Sequence, residues 1–181
     1  MEGVSTTQSS HPVRHETRAD QLDAAPQRLL GQRLACSLSP QGTGRLEFEG
    51  LAVTRWNDDP TIDRDGSFLY LRDLEDGAFW SATLQPTGVV AERYEFEAQP
   101  GRVSFRRADR GIQTELDVCI CPENDVEYRR CRLTNLSSRP RTIELTSYLE
   151  WVLQDAAADA SHPAFSKLFV QTEFLPESQA I

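Results

Sequence analysis

The 181-residue sequence has little of what would place it in several large protein classes. No run approaches the roughly 20 apolar residues that a membrane-spanning helix needs. The first 26 residues are polar and hold no apolar stretch of the kind found in a signal peptide. Lysine is nearly absent: Lys167 stands alone, and every other one of the 19 basic residues is arginine. Basic residues are also outnumbered, giving a formal net charge of −9. A nucleic-acid or anionic-membrane binder needs a basic face, so neither partner is expected. There are four cysteines and no secretion signal, so reduced thiols and a cytoplasmic location are expected.

Catalytic signatures are missing as well. There is no nucleophile elbow, no zinc-protease helix motif and no phosphate-binding loop. Cys119 and Cys121 stand two apart, on one face of a strand, and Cys131 on a neighbouring strand would complete a three-thiolate set. Zinc sites usually show two close ligand pairs, so small apolar side chains in strands are the better reading, and neither metal nor cofactor is expected. Asn57 to Gly66 holds four carboxylates. Aligned as a calcium loop it puts Thr61 and Arg72 at two key ligand positions, which leaves a solvated acidic loop. His162, the only histidine outside the first 26 residues, has Asp159 as a potential carboxylate partner.

What the sequence does have is alternation. Met1 to about Pro26 shows no periodicity and reads as a disordered tail. From residue 27 to 181 the pattern is that of one all-β domain, a β-sandwich or a barrel. Strands are predicted over Leu34–Leu38, Leu46–Phe48, Leu51–Trp56, Ser67–Asp73, Ala78–Thr83, Arg93–Ala98, Arg102–Arg107 and Ile112–Cys121. Asp76-Gly77 predicts a primed hairpin turn. In Val126–Asn135 the apolar phase slips, as a β-bulge near Arg129-Arg130 would explain. Ile143, Leu145, Leu149, Trp151 and Leu153 share parity along a predicted long strand, and Lys167–Phe174 reads as a last one. About ten strands and no long helix argue for an all-β, antiparallel sandwich or barrel.

Trp56, Trp80 and Trp151 lie on or beside these strands with Arg, Asp or Gln nearby. Aromatic faces with planar hydrogen-bonding groups suit a sugar, and tryptophans filling a core suit the same pattern. Trp56, beside the polar loop, is the one expected at the surface.

Several segments carry a family resemblance. They are Leu51-Ala52-Val53-Thr54-Arg55-Trp56, Asp59-Pro60, Gly66 to Asp73, Trp80 to Thr83, Gln85 to Gly88, Arg106 to Asp109, Pro122 to Glu127, Leu133 to Asn135 and Ile143 to Tyr148. The longest is Ala157 to Phe174. In this order they resemble the N-terminal β-supersandwich, related in shape to galactose mutarotase, of cyclic β-1,2-glucan synthases and of cellobiose and chitobiose phosphorylases. The resemblance covers about residues 28 to 175.

It implies a non-catalytic domain that packs on an α/α toroid, where the family keeps its general acid and phosphate site. No catalytic residue carries over. It implies subunit contact in a homodimer and a β-glucan or oligosaccharide as partner, with Arg55, Trp56, Trp80 and Gln85 as candidate sugar contacts. A synthase parent would be associated with the inner membrane. Cys119, Cys121 and Cys131 stand where relatives are usually aliphatic. Gly42 to Phe48 lacks the Tyr-Ser of relatives, which weakens any sugar role for that loop. The family sandwich is longer than this chain, so an incomplete sandwich with an exposed edge is expected. A free-standing carbohydrate-binding module and a mutarotase-like epimerase using His162 are the alternatives.

Overall fold

The computed structural model describes residues 16–17, 22, 24–56 and 65–179. Among the described residues thirteen strands form three sheets. They are β1 (Glu16–Thr17), β2 (Gln27–Leu30), β3 (Leu34–Leu38), β4 (Gly44–Phe48), β5 (Leu51–Thr54), β6 (Phe68–Asp73) and β7 (Phe79–Ser81). After them come β8 (Arg93–Gln99), β9 (Arg102–Asp109), β10 (Ile112–Cys121), β11 (Val126–Asn135), β12 (Ile143–Tyr148) and β13 (Trp151–Gln154). The sheets run β1-β8-β9-β10-β11, β12-β6-β7 and β13-β5-β4-β3-β2. All pairings are antiparallel except the two-residue bridge of β1 to β8. The fold is the all-β antiparallel sandwich that the alternation predicts.

Period-two patterning builds the core. Along β10 every second residue is buried, with Ile112, Leu116, Val118 and Ile120 on one face. Tyr94 and Phe96 of β8 and Val103 and Phe105 of β9 join them, and the Phe96 and Phe105 rings meet at 5.4 Å. Opposite lie Leu29, Leu34, Cys36 and Leu38 of one sheet and Leu71 and Trp80 of the other. Tight turns fix the register. Arg110-Gly111 and Glu49-Gly50 connect their strands as two-residue loops with positive φ at both positions, the backbone of a type I′ turn.

The structure departs from the sequence reading at several points. The β6–β7 connection is a five-residue loop, Leu74–Ala78, closed by the Gly77 amide donating to the Asp73 carbonyl (2.9 Å), not a two-residue primed turn. No bulge interrupts β11: it pairs with β10 in unbroken register from Asn135 to Val126. Its inward face is Glu127, Arg129, Cys131 and Leu133, while Val126 and Tyr128 point outward. Glu127 and Arg129 are tolerated inside because they pair at 2.5 Å and Arg129 also donates to the Ser67 carbonyl (2.6 Å).

The predicted long strand is two strands in different sheets, β12 on β6 and β13 on β5. The one-residue shift falls in β13, where Leu153 has φ +55°. Val152 is therefore the buried residue there, and Trp151 and Leu153 are exposed. Beyond β13 the chain forms a six-residue helix, α1 (Ala156–Ser161), with Asp155 accepting from the Ala157 and Ala158 amides. The predicted strand Lys167–Phe174 is instead irregular chain after a 3₁₀ turn (Ser166–Leu168). Cys119 and Cys121 face outward with Tyr128 and Val126, so of the four cysteines only Cys36 is a buried core residue.

Most of the polar stretch 1–26 and of the acidic loop 57–66, including His11, His15 and Asp63, lies outside the described residues. Within that stretch Leu22 packs on the core, and its carbonyl accepts from Gln41 (2.7 Å). Among the described residues β11 and β12 are each an edge strand of their sheet. Leu133 and Leu145 point toward the core face yet remain 37% and 47% exposed. No helix among the described residues is long and apolar enough to cross a membrane.

Candidate functional site

Arg55 follows β5 directly and is the centre of a polar cluster at one end of the sandwich. Its guanidinium grips Asp159 with two hydrogen bonds of 2.7 Å, donates to Glu150 at 2.8 Å and to the Pro163 carbonyl at 3.0 Å. The paired bonds to Asp159 have the fork geometry for which arginine is suited and lysine is not. Glu150 also accepts from Lys167 Nζ (3.1 Å) and from the Tyr148 hydroxyl (2.9 Å). The single lysine, α1 and the β12–β13 junction therefore converge on Arg55. Five residues of this cluster, Arg55, Tyr148, Asp159, Pro163 and Lys167, belong to the segments that carry the family resemblance.

Electrostatics follow from these contacts. The Asp159 hydrogen bonds raise the Arg55 pKa. Hydrogen bonds from Lys167 and Tyr148 hold the Glu150 carboxyl below the ordinary carboxylate value of 4.5. The bond to Glu150 pushes the Tyr148 phenol upward. A carboxylate whose pKa is depressed on folding stabilises the fold above its unfolded pKa, and that contribution is lost as pH falls through the folded value. Glu150→Gln is therefore expected to unfold at a lower temperature than the parent at neutral pH. The gap should narrow as pH falls below 4.5. Thermal unfolding of both proteins across this range checks it, and a gap independent of pH would show that the charge of Glu150 contributes nothing.

Two clefts adjoin Arg55. One of about 230 Å³ is lined by Trp56, Arg45, Asp65, Asp159 and Pro163. The other, about 360 Å³, has Tyr70, Pro86, Tyr148, Asp65 and Glu150 in its walls. Arg55 and Asp65 belong to both. Trp56 is half-buried, with the Arg45 guanidinium carbon 5.8 Å from its ring centroid.

The four candidate sugar contacts thus separate. Arg55 and Trp56 line a cleft together. Gln85 is half-buried; its backbone is tied to the Gln41 carbonyl (2.9 Å), and it is the neighbouring Pro86 that reaches the cleft. Trp80 is 1% exposed in the core and has no ring face for a ligand, because β7 points it inward between the sheets. Arg55 itself spends most of its donors on Asp159, Glu150 and Pro163, so its first role is to hold the cleft together. Tyr70 and Tyr148 are the residues that sequence reasoning missed. The strand of Tyr70 was read correctly, but that of Tyr148 was run on into β13, and nothing in the pattern shows that Tyr148 ends its strand beside Phe68.

Of the two groups considered for epimerase chemistry, Asp159 accepts from Arg55 through both carboxylate oxygens, and His162 is exposed at the end of α1. Among the described residues no group of three His, Cys, Asp or Glu is placed to hold a metal ion.

Residues 12–181 match the family described as glycosyl hydrolase 94, supersandwich domain. The chain is 39% identical over 136 residues to the cyclic β-(1,2)-glucan synthase NdvB of Rhizobium meliloti, a match covering 75% of this chain and 5% of that protein. It is 28% identical over 151 residues to the N,N'-diacetylchitobiose phosphorylase of Vibrio furnissii, covering 80% of this chain and 19% of the relative. A solabiose phosphorylase of Paenibacillus borealis is 28% identical over 152 residues, covering 83% of this chain and 17% of the relative. The chain therefore spans less than a fifth of each of these relatives.

Proposed function

Because the chain belongs to the glycosyl hydrolase 94 supersandwich family, we propose that it works as the non-catalytic N-terminal sandwich of a larger carbohydrate-active enzyme. That enzyme would be of the cyclic β-1,2-glucan synthase or glycoside phosphorylase type. The observation that carries this reading is the family match over nearly the whole sandwich, in relatives many times longer than the match. The cluster around Arg55 supports it: Asp159, the carboxylate nearest in sequence to His162, is committed to an internal ion pair.

In this reading the domain packs on a catalytic α/α toroid, takes part in contact between two subunits and touches the glucan. Phe165, Leu168, Phe169 and Phe174 are all more than half exposed after α1, an apolar strip of the kind that marks a covered surface. Trp56 supplies an aromatic face for the glucan, at the 230 Å³ cleft.

Two measurements test the proposal. The DNA downstream of the Ile181 codon should continue in frame into a helical toroid; a stop there would favour a free-standing binding module. Separately, β-1,2-glucan oligomers at about 5 mM should change the tryptophan fluorescence of the chain, a weak-site range. The change should be lost in Trp56→Phe, since Trp80 is sealed in the core and Trp151, though exposed, lines neither cleft beside Arg55. No response would remove the glucan contact and leave the scaffold role.

A further inference from the structure

A third cleft, about 470 Å³, lies over the outward face of β6, β7 and β12, walled by Tyr70, Phe79, Arg72, Glu144 and Thr146. Tyr70 is shared with the 360 Å³ cleft beside Tyr148. Neighbouring clefts thus share walls from Trp56, past Arg55 and Tyr148, to Phe79. We propose that the outward face of this small sheet is a binding track for a neutral oligosaccharide of several pyranose units, with Tyr148, Tyr70 and Phe79 as its aromatic stations.

The register places these groups on one face. Glu144 pairs with Arg72, Thr146 with Tyr70, Tyr148 with Phe68, and Phe79 with Arg72. Paired residues share a side of the sheet. Tyr70 and Phe79 stack with centroids 5.3 Å apart and planes 16° from parallel, and Tyr148 meets Tyr70 edge-on at 6.3 Å. Phe79 is 50% exposed and Tyr148 47%. From Tyr148 to Glu144 the strand covers four steps, about 13 Å, which is longer than a single pyranose ring.

The chemistry selects the class of ligand. Arg72 and Glu144 approach only to 4.0 Å and both are more than half exposed, so their hydrogen-bonding edges face solvent. Their charges cancel, which favours neither an anionic nor a cationic ligand. A hydroxyl-rich ring offers C–H patches to Phe79 and Tyr70 and hydrogen-bonding groups to Arg72, Glu144 and Thr146. An apolar protein surface placed here would strip water from that charged pair without replacing its hydrogen bonds. The volume also lies within the range of ligand clefts, roughly 300 to 1,000 Å³.

The track rests on the reading of the chain as a carbohydrate-active domain, and the test separates the two. The full chain is titrated by calorimetry with linear β-1,2-glucan and with cellopentaose, beside Phe79→Ala, Tyr148→Ala and Trp56→Ala. Amide shifts of the unmodified chain are followed by NMR in parallel. Binding is expected with a dissociation constant on the order of 1 mM. Phe79→Ala and Tyr148→Ala should each weaken it about three- to tenfold, the size of one aromatic contact. Shifts should fall on β6, β7 and β12. If Trp56→Ala abolishes binding while the other two leave it unchanged, the track is overturned and the Trp56 contact stands. Absence of heat and of shifts at about 10 mM overturns the track as well, and leaves family membership intact. Loss of self-association in Phe79→Ala, with no sugar binding, would assign the face to a second copy and equally overturn it.

Discussion

Replacing Arg107 with methionine should destabilise the fold by about 3–5 kcal/mol, the cost of leaving one member of a buried ion pair alone. Arg107 is 1% exposed and its side chain is fully satisfied. Nε and a terminal nitrogen each donate to Asp109 at 2.6 Å, and other donors reach the carbonyls of Ser81 (2.8 Å), Thr83 and Val89 (3.1 Å). The residue therefore stitches β9 of the large sheet to the chain leaving β7 of the small one. Methionine keeps most of the volume but strands the Asp109 carboxylate and three carbonyls. Against a total stability on the order of 5–15 kcal/mol for a domain, the loss is large. The double variant Arg107→Met/Asp109→Leu should recover part of it, because the unpaired charge is gone while the carbonyls stay unsatisfied. Urea unfolding of the three proteins reads the difference; a single-variant loss under about 1 kcal/mol would mean that water replaces the guanidinium.

The second large effect is expected at Arg55. Arg55→Ala should cost about 2–3 kcal/mol, somewhat below the fully buried case because the Arg55 side chain is 18% exposed. The loss should also be local. Asp159 is 6% exposed and would be left facing a cavity, α1 has only six residues to hold itself, and Pro163 would lose its tie. Hydrogen exchange should accelerate across residues 155–168 while β9 and β10 stay protected. Arg55→Lys should rescue little, since an ammonium cannot span both Asp159 oxygens and reach Glu150 as well. Uniform exchange throughout the chain would show that the cluster unfolds only with the whole domain.

Much of the architecture was legible because β-strands announce themselves by alternation. β3, β6, β8, β9 and β10 stand where the pattern puts them, within a residue or two at their ends. Legibility failed where inward positions are not apolar. In β11 the buried side holds Glu127 and Arg129, so a rule that points apolar residues inward chooses the wrong face. In the 143–154 segment two strands of like composition run on across a junction at Leu149-Glu150, and only tertiary pairing reveals the change of sheet. The site was legible in half. Arg55 and Trp56 are neighbours in sequence and in the cleft, whereas Trp80 has the same signature and lies in the core. The partners of Arg55 at positions 150, 159 and 163 lie about a hundred residues away and carry no local signal.

The scarcity of lysine has a practical side. Lys167 Nζ sits 3.1 Å from Glu150, at the rim of the Arg55 cluster, with its side chain 55% exposed. It is the only side-chain amine in the chain. An amine-directed dye applied after the terminal amine, the more acidic of the two, has been blocked near neutral pH would label one defined place. That place is linked through its ion pair with Glu150 to the wall of the 360 Å³ cleft. The protein thus carries its own attachment point for a distance or polarity probe, with no engineered cysteine and no disturbance of Cys36.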